Sequence, residues 1–283
     1  MDAVRIGNAS VYLSGREVLH GIDWRVERGE RCFILGANGA GKTTLVRMLM
    51  GYAWPLFGAT VEVLGHRFGT VNLQELRKRI AWVSPLMHQW FGGRVWTGRG
   101  LVLSGPDATI GLFREPTAEE EARAAGLLAS LRAEHLADRP VAAMSSGEQV
   151  KVLIARALMT RPDLMILDEP SVFLDIAGRE FLLNTIADLA AQRPELTIIF
   201  ITQRIEDILP AFSRGLILRE GGIIARGGHI PCPRRRHRAA EKSQGENDEP
   251  SGFDCFTVLH LRVFNTQIKS RHQFQTRNAR MIM

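Results

Sequence analysis

Apolar positions over the first 230 residues follow two alternating rhythms. Short runs rich in β-branched residues lie at 4–12, 31–35, 80–84, 164–167 and 197–202. Longer segments with the spacing of a helix face lie between them, notably at 42–50, 118–131, 148–159 and 176–192. Two runs, Leu164-Met165-Ile166-Leu167 and Ile198-Ile199-Phe200-Ile201, are apolar at every position. Such strands are buried on both faces, as in a mostly parallel sheet covered by helices on either side. The pattern therefore predicts one α/β domain over 1–230. The stretch from about 72 to 159 is mostly helical and reads as a helical subdomain hung on the sheet. Thr117, followed three residues later by Glu120, makes a capping box at one helix start.

The rhythm stops near residue 230. Pro231-Cys232-Pro233-Arg234-Arg235-Arg236 opens a segment of mixed charge without a sustained period, mostly polar and charged over 241–254. The expectation for 231–283 is a disordered tail. Charge follows the same division. The chain carries a net charge of +6, but ten basic against five acidic residues lie from Cys232 onward. The domain is thus nearly neutral, and nucleic acid is not expected as a partner. No window approaches the roughly 18 to 20 apolar residues of a membrane-spanning helix, and the N-terminus lacks the apolar core of a signal peptide. Cys32, Cys232 and Cys255 make neither a zinc spacing nor an even disulfide framework, which suits a reducing compartment.

Candidate chemistry concentrates at two places. Gly36-Ala37-Asn38-Gly39-Ala40-Gly41-Lys42-Thr43 fits G-x-x-x-x-G-K-[ST] at every fixed position, after a predicted strand and before a predicted helix that continues with Thr44. Glycines let the backbone curl so that its N–H groups meet phosphate oxygens, and the helix N-terminus adds partial positive charge. Lys42 can reach the β- and γ-phosphates, and the Thr43 hydroxyl can ligate Mg²⁺. The fold class implied is a phosphate-loop NTPase, α/β with a mostly parallel sheet. Further on, Asp168-Glu169 ends the apolar strand at 164–167. Two carboxylates there are costly unless a cation lies nearby. Asp168 can hold Mg²⁺, and Glu169 can polarise the water that attacks the γ-phosphate.

Between these motifs stands Met144-Ser145-Ser146-Gly147-Glu148-Gln149, just before a predicted helix. It resembles the signature motif of ATP-binding cassette (ABC) ATPases, and Ser171-Val172-Phe173-Leu174-Asp175 resembles their D-loop. The resemblance covers about residues 3–228. It implies ATP and Mg²⁺ as ligands, and a second ATPase subunit, expected to be an identical copy, as partner. Ser145 and Gly147 would then bind the γ-phosphate held by the phosphate loop of that copy. It further implies a separate transmembrane permease, with this chain peripheral on the cytoplasmic face of the plasma membrane. Alternatives within the resemblance are a non-transport ABC ATPase and a weakly hydrolysing regulatory cassette.

Three positions depart from the family pattern. The Q-loop reads Val83-Ser84-Pro85, with Gln89 four residues later. Gln203 stands after Thr202 where a switch histidine is usual, and can hydrogen-bond a γ-phosphate without carrying charge. Tyr12 is the nearest aromatic for stacking on adenine, although alignment on Leu19 puts Leu13 in that register. The V-S-P variant and Val102-Leu103-Ser104-Gly105 resemble a subgroup of molybdate- and iron-type uptake ATPases. Trp90, Phe91 and Trp96 are either a patch for the membrane partner or ordinary core.

Overall fold

Alternation of buried and exposed positions at the N-terminus builds an antiparallel sheet. Strand β1 (Asp2–Leu13) turns through Ser14-Gly15 into β2 (Arg16–Glu27). On its other side β1 pairs with β4 (Thr60–Val63), which pairs with β5 (His66–Arg67). The computed structural model describes residues 1–85, 87, 96–109 and 111–228. The predicted tail at 231–283 lies outside them, as do Gln89, Trp90 and Phe91.

The second sheet carries the apolar runs. Its strand order is β10-β9-β3-β8-β7-β6, with β3 (Arg31–Leu35), β6 (Ile80–Val83), β7 (Leu164–Asp168), β8 (Thr197–Thr202), β9 (Arg214–Arg219) and β10 (Gly222–Gly228). All neighbours pair in parallel except the edge strand β10. Strands β6, β7 and β8 are buried at every residue, as their continuous apolar runs require.

The reading of 1–230 as a single alternating unit needs correction at its start. The run at 4–12 does not join the parallel sheet. Arg5, Asn8 and Tyr12 are exposed while Val4, Ile6, Ala9 and Val11 are buried, so the strand has one wet face. An antiparallel sheet accommodates that face, and a sheet covered by helices on both sides does not. Helix α1 (Lys42–Leu49) joins the two sheets. Its Leu45, Val46, Met48 and Leu49 share one core with Val4 and Ile6 of the first sheet and Ile166 and Ile199 of the second.

Helices α3 (Gly98–Leu103), α4 (Ala118–Ser130) and α5 (Ser146–Leu158) pack on one another. Within the stretch 72–159, α2 (Leu73–Arg77) and β6 precede this group, and β6 belongs to the parallel sheet. The capping box forms as expected: Thr117 accepts from the Glu120 N–H, and Glu120 accepts from the Thr117 N–H. Helix α6 (Ile176–Gln192) starts at Asp175, whose carboxylate accepts from the Gly178 N–H.

Candidate active site

Sheet register brings three loop starts to one edge. Leu35, the last residue of β3, pairs with Thr202 of β8, and Asp168 of β7 pairs with Ile201. The chain leaves all three strands at their carboxyl ends, where open α/β sheets bind ligands.

From β3 the backbone curls through 36–41 into α1. Gly41 takes φ +99°, and a β-carbon on it would lie 2.8 Å from Leu19 Cδ2 and 3.2 Å from the Val18 carbonyl. At Gly36 a β-carbon would come within 2.6 Å of the Leu218 carbonyl. The loop is therefore walled by β2 and β9, at distances only glycine allows. Ala40 is tied in as well, its carbonyl accepting from Gly221 N–H at 3.1 Å. Ala37, Asn38 and Gly39 are exposed at the crest. No side chain caps α1 and its first turn holds no acid, so its N-terminal N–H groups keep their positive partial charge for an anion. Thr43 is exposed there and Thr44 is buried beside it.

Lys42 is 4% exposed. Its ammonium uses three donors, at 2.9 Å to the Gly36 carbonyl, 2.9 Å to the Ala37 carbonyl and 2.8 Å to Glu169 Oε1. A buried cation is retained only with such partners. Glu169 is thus brought to the phosphate loop from β7. Its backbone lies in the left-handed region at φ +50°, which costs a non-glycine residue on the order of 1 kcal/mol. Two main-chain bonds hold it: Glu169 N–H donates to Ile201 C=O at 3.0 Å, and Glu169 C=O accepts from Val172 N–H at 3.2 Å.

Asp168 is buried, and its Oδ1 has no hydrogen-bond partner. Burial, followed by the neighbouring Glu169 charge, pushes its carboxyl up to about 7, against the opposing pull of Lys42. A buried carboxylate oxygen left unpaired fits a cation. Magnesium is usually held by one or two protein oxygens and completed by phosphate and water, and no group of three or more His, Cys, Asp or Glu able to hold a metal occurs among the described residues. The unpaired Asp168 oxygen therefore fits a cation such as Mg²⁺.

The raised carboxyl has a stability consequence. Between its ordinary value near 4 and about 7, folded Asp168 holds its proton more tightly than the unfolded chain does, so its contribution to stability falls as pH rises through that window. Without nucleotide or Mg²⁺, Asp168→Asn should gain thermal stability relative to the parent between pH 5 and pH 8, by no more than a few kcal/mol. A pH-independent difference in thermal midpoint would remove burial as the cause.

Gln203 follows β8 and is half-buried. With Glu169, Ser171, Val172, Thr202 and Arg204 it lines a small recess, so the structure brings Glu169 and Gln203 together. Tyr12 stands at the end of β1 opposite Glu17, 49% exposed, on the strand pair whose Val18 and Leu19 wall Gly41. Ser145 and Gly147 are not part of this cluster. Ser145 caps α5 through a second capping box, its Oγ accepting from Glu148 N–H while the Glu148 carboxylate accepts from Ser145 N–H at 2.7 Å. Both residues lie at an accessible helix end, and a β-carbon on Gly147 would meet nothing within 4 Å. Among the described residues neither makes a hydrogen bond or ion pair with the phosphate loop. Pro85 is buried, and Trp96 is half-buried against Gly111.

Sequence reading missed the walls of the loop, Val18, Leu19 and Gly221, and it missed Asp207, which lies fully buried behind Ser171. These residues belong to no motif and reach the site only through long-range pairing.

Comparison with known proteins shows the family of the chain. Residues 19–172 match the family model described as ABC transporter. The chain is 40% identical over 228 residues to the Bacillus subtilis (strain 168) ABC transporter ATP-binding protein YlmA, covering 79% of this chain and 84% of that protein. It is 34% identical over 217 residues to the cobalt import ATP-binding protein CbiO of Rhodobacter capsulatus, covering 75% and 74% respectively. The solved structure of cbiO1 from Clostridium perfringens, part of the ABC transporter complex cbiONQ, matches with a TM-score of 0.67 and 25% identity over 80% of this chain and 88% of that one. A phosphate loop, an acidic pair at the end of β7 and a signature segment capping α5, on a chain matched by these relatives over three-quarters of its length, identify the protein as a member of the ABC transporter family, an ATP-binding ATPase cassette.

Proposed function

We propose that two copies of this cassette close on ATP and drive a separate membrane permease from the cytoplasmic face of the membrane. The observation that carries the reading is the position of the signature residues. Ser145 and Gly147 sit at an accessible, self-capped helix N-terminus that makes no hydrogen bond or ion pair with the phosphate loop of its own chain among the described residues, and a second copy would complete the site. The permease reading is supported by cbiO1 being part of the complex cbiONQ, and no helix among the described residues is long and apolar enough to cross a membrane.

Each residue then has a task. The N–H groups of 36–43 and the Lys42 ammonium take the phosphates, and Tyr12 stacks on the base. Phosphate charge competes with Glu169 for Lys42, which frees the Glu169 carboxylate to orient water and accept its proton. Gln203 donates its amide to the γ-phosphate. Thr43 and Asp168 hold Mg²⁺, which when bound neutralises phosphate charge as a Lewis acid.

The pairing is testable at Gly147. Gly147→Val adds side chain into open space of the single chain, so the thermal midpoint should stay within a few degrees. The same group would obstruct the partner's γ-phosphate, so ATP-dependent dimerisation on size-exclusion chromatography should be lost. A variant that still dimerises with ATP would remove α5 from the interface. Reconstitution with a permease, with ATPase activity rising on its addition, tests the transport role.

A further inference from the structure

We propose that Asp207 is a positioning residue for hydrolysis, holding the loop that carries Glu169 against the strand end that carries Gln203; the proposal rests on the roles given to those two residues above. Asp207 closes a short 3-10 turn, Ile205–Asp207, and is completely buried. Its Oδ2 accepts the Ser171 hydroxyl at 2.5 Å and faces the Thr202 hydroxyl at 3.3 Å. Its Oδ1 accepts from Arg179 Nε of α6. Ser171 lies two residues after Glu169, and Thr202 immediately precedes Gln203. One carboxylate thus ties together three segments: the loop after β7, the end of β8 and the first turns of α6.

The cluster is satisfied on every side. A charge-assisted bond from Arg179 and two hydroxyls compensate a carboxylate that would be costly alone at this depth. Packing by itself does not require such a charge, since apolar residues of similar volume fill a core at least as well. What the carboxylate adds is direction. The same two segments are already joined by the Glu169 N–H bond to Ile201, which leaves Glu169 in a strained backbone conformation. Asp207 is a second strut beside the first, and the recess lined by Glu169, Ser171, Thr202 and Gln203 lies against it. Two struts fix the separation between the water-orienting carboxylate and the γ-phosphate donor, which one bond leaves free to pivot.

The test uses the full chain and steady-state MgATP hydrolysis, measured well below each variant's own thermal midpoint so that only folded protein is compared. Ser171→Ala and Thr202→Val each remove one hydroxyl and leave the Asp207–Arg179 pair intact. Asp207→Asn removes the charge at nearly constant shape. Ser171→Ala and Asp207→Asn should each lower kcat by about tenfold or more while KM stays within about threefold, and the double variant should be no worse than the weaker single. Where Asp207→Asn does not fold, the pair Ser171→Ala and Thr202→Val supplies the same comparison. A Ser171→Ala kcat within about twofold of the parent, a loss shared equally by KM, or losses that add in the double variant would each overturn the proposal. Gln203→Ala, measured alongside, separates the two readings. If it leaves kcat unchanged, the role given to Gln203 fails, while a loss in Ser171→Ala still assigns Asp207 to holding the Glu169 loop.

Discussion

Lys42→Ala should abolish tight MgATP binding. The ammonium is the cation that three elements converge upon: the Gly36 and Ala37 carbonyls from the loop and Glu169 from the end of β7. Its removal takes away the charge available to the β- and γ-phosphates and leaves Glu169 as an uncompensated anion beside the same phosphates. Loss of attraction and gain of repulsion act in one direction, so the expected weakening is about hundredfold or more in Kd, roughly 2.7 kcal/mol. Titration with a fluorescent ATP analogue reads this directly. A Kd within about threefold of the parent, under 1 kcal/mol, would show that the loop does not hold the phosphates. The nucleotide-free variant should also be less stable, because two carbonyls lose their donor.

Glu169→Gln should stop hydrolysis and keep ATP bound. The amide preserves size and hydrogen bonding but cannot accept the proton of the attacking water, and removal of a positioned base costs about 10² to 10⁴ in rate. In this protein the substitution has a second effect. An amide no longer pairs with the Lys42 ammonium as an ion, so phosphates meet less competition for it and ATP affinity should be equal or higher. Bound and uncleaved ATP should hold two copies together, giving an ATP-dependent dimer on size-exclusion chromatography. A variant that hydrolyses ATP at the parental rate and stays monomeric would remove Glu169 from the reaction and leave the cassette as a nucleotide-binding regulator.

The phosphate loop, the capping box at Thr117, the apolar strands of the parallel sheet and the acidic pair were legible in the linear chain because each is a local object. Glycine spacing sets a backbone curl within eight residues. A serine or threonine three positions before a glutamate closes a helix end. A continuous apolar run can only be buried. Periodicity also placed α1, α4, α5 and α6 to within a few residues.

Other features were decided by tertiary structure. Strands β2, β9 and β10 mix charge and glycine with apolar residues, so they look like loops until a partner strand supplies the missing hydrogen bonds. The first strand was recognisable, but its sheet was not, since a one-sided strand does not name its neighbour. Lys42 and Glu169 are 127 residues apart in sequence and 2.8 Å apart in space, joined only because β3 and β7 flank β8 in register. Asp168 was legible as half of the acidic pair, but its state was not; burial in the folded protein leaves its oxygen unpaired and pushes its carboxyl up to about 7. Asp207 belongs to no motif, and its role arises from three segments that meet only in the fold. The chemical groups of this site are specified by short-range backbone and spacing rules, which a sequence carries openly. Their mutual distances and charge states come from long-range pairing and burial, and those exist only once the sheet has formed.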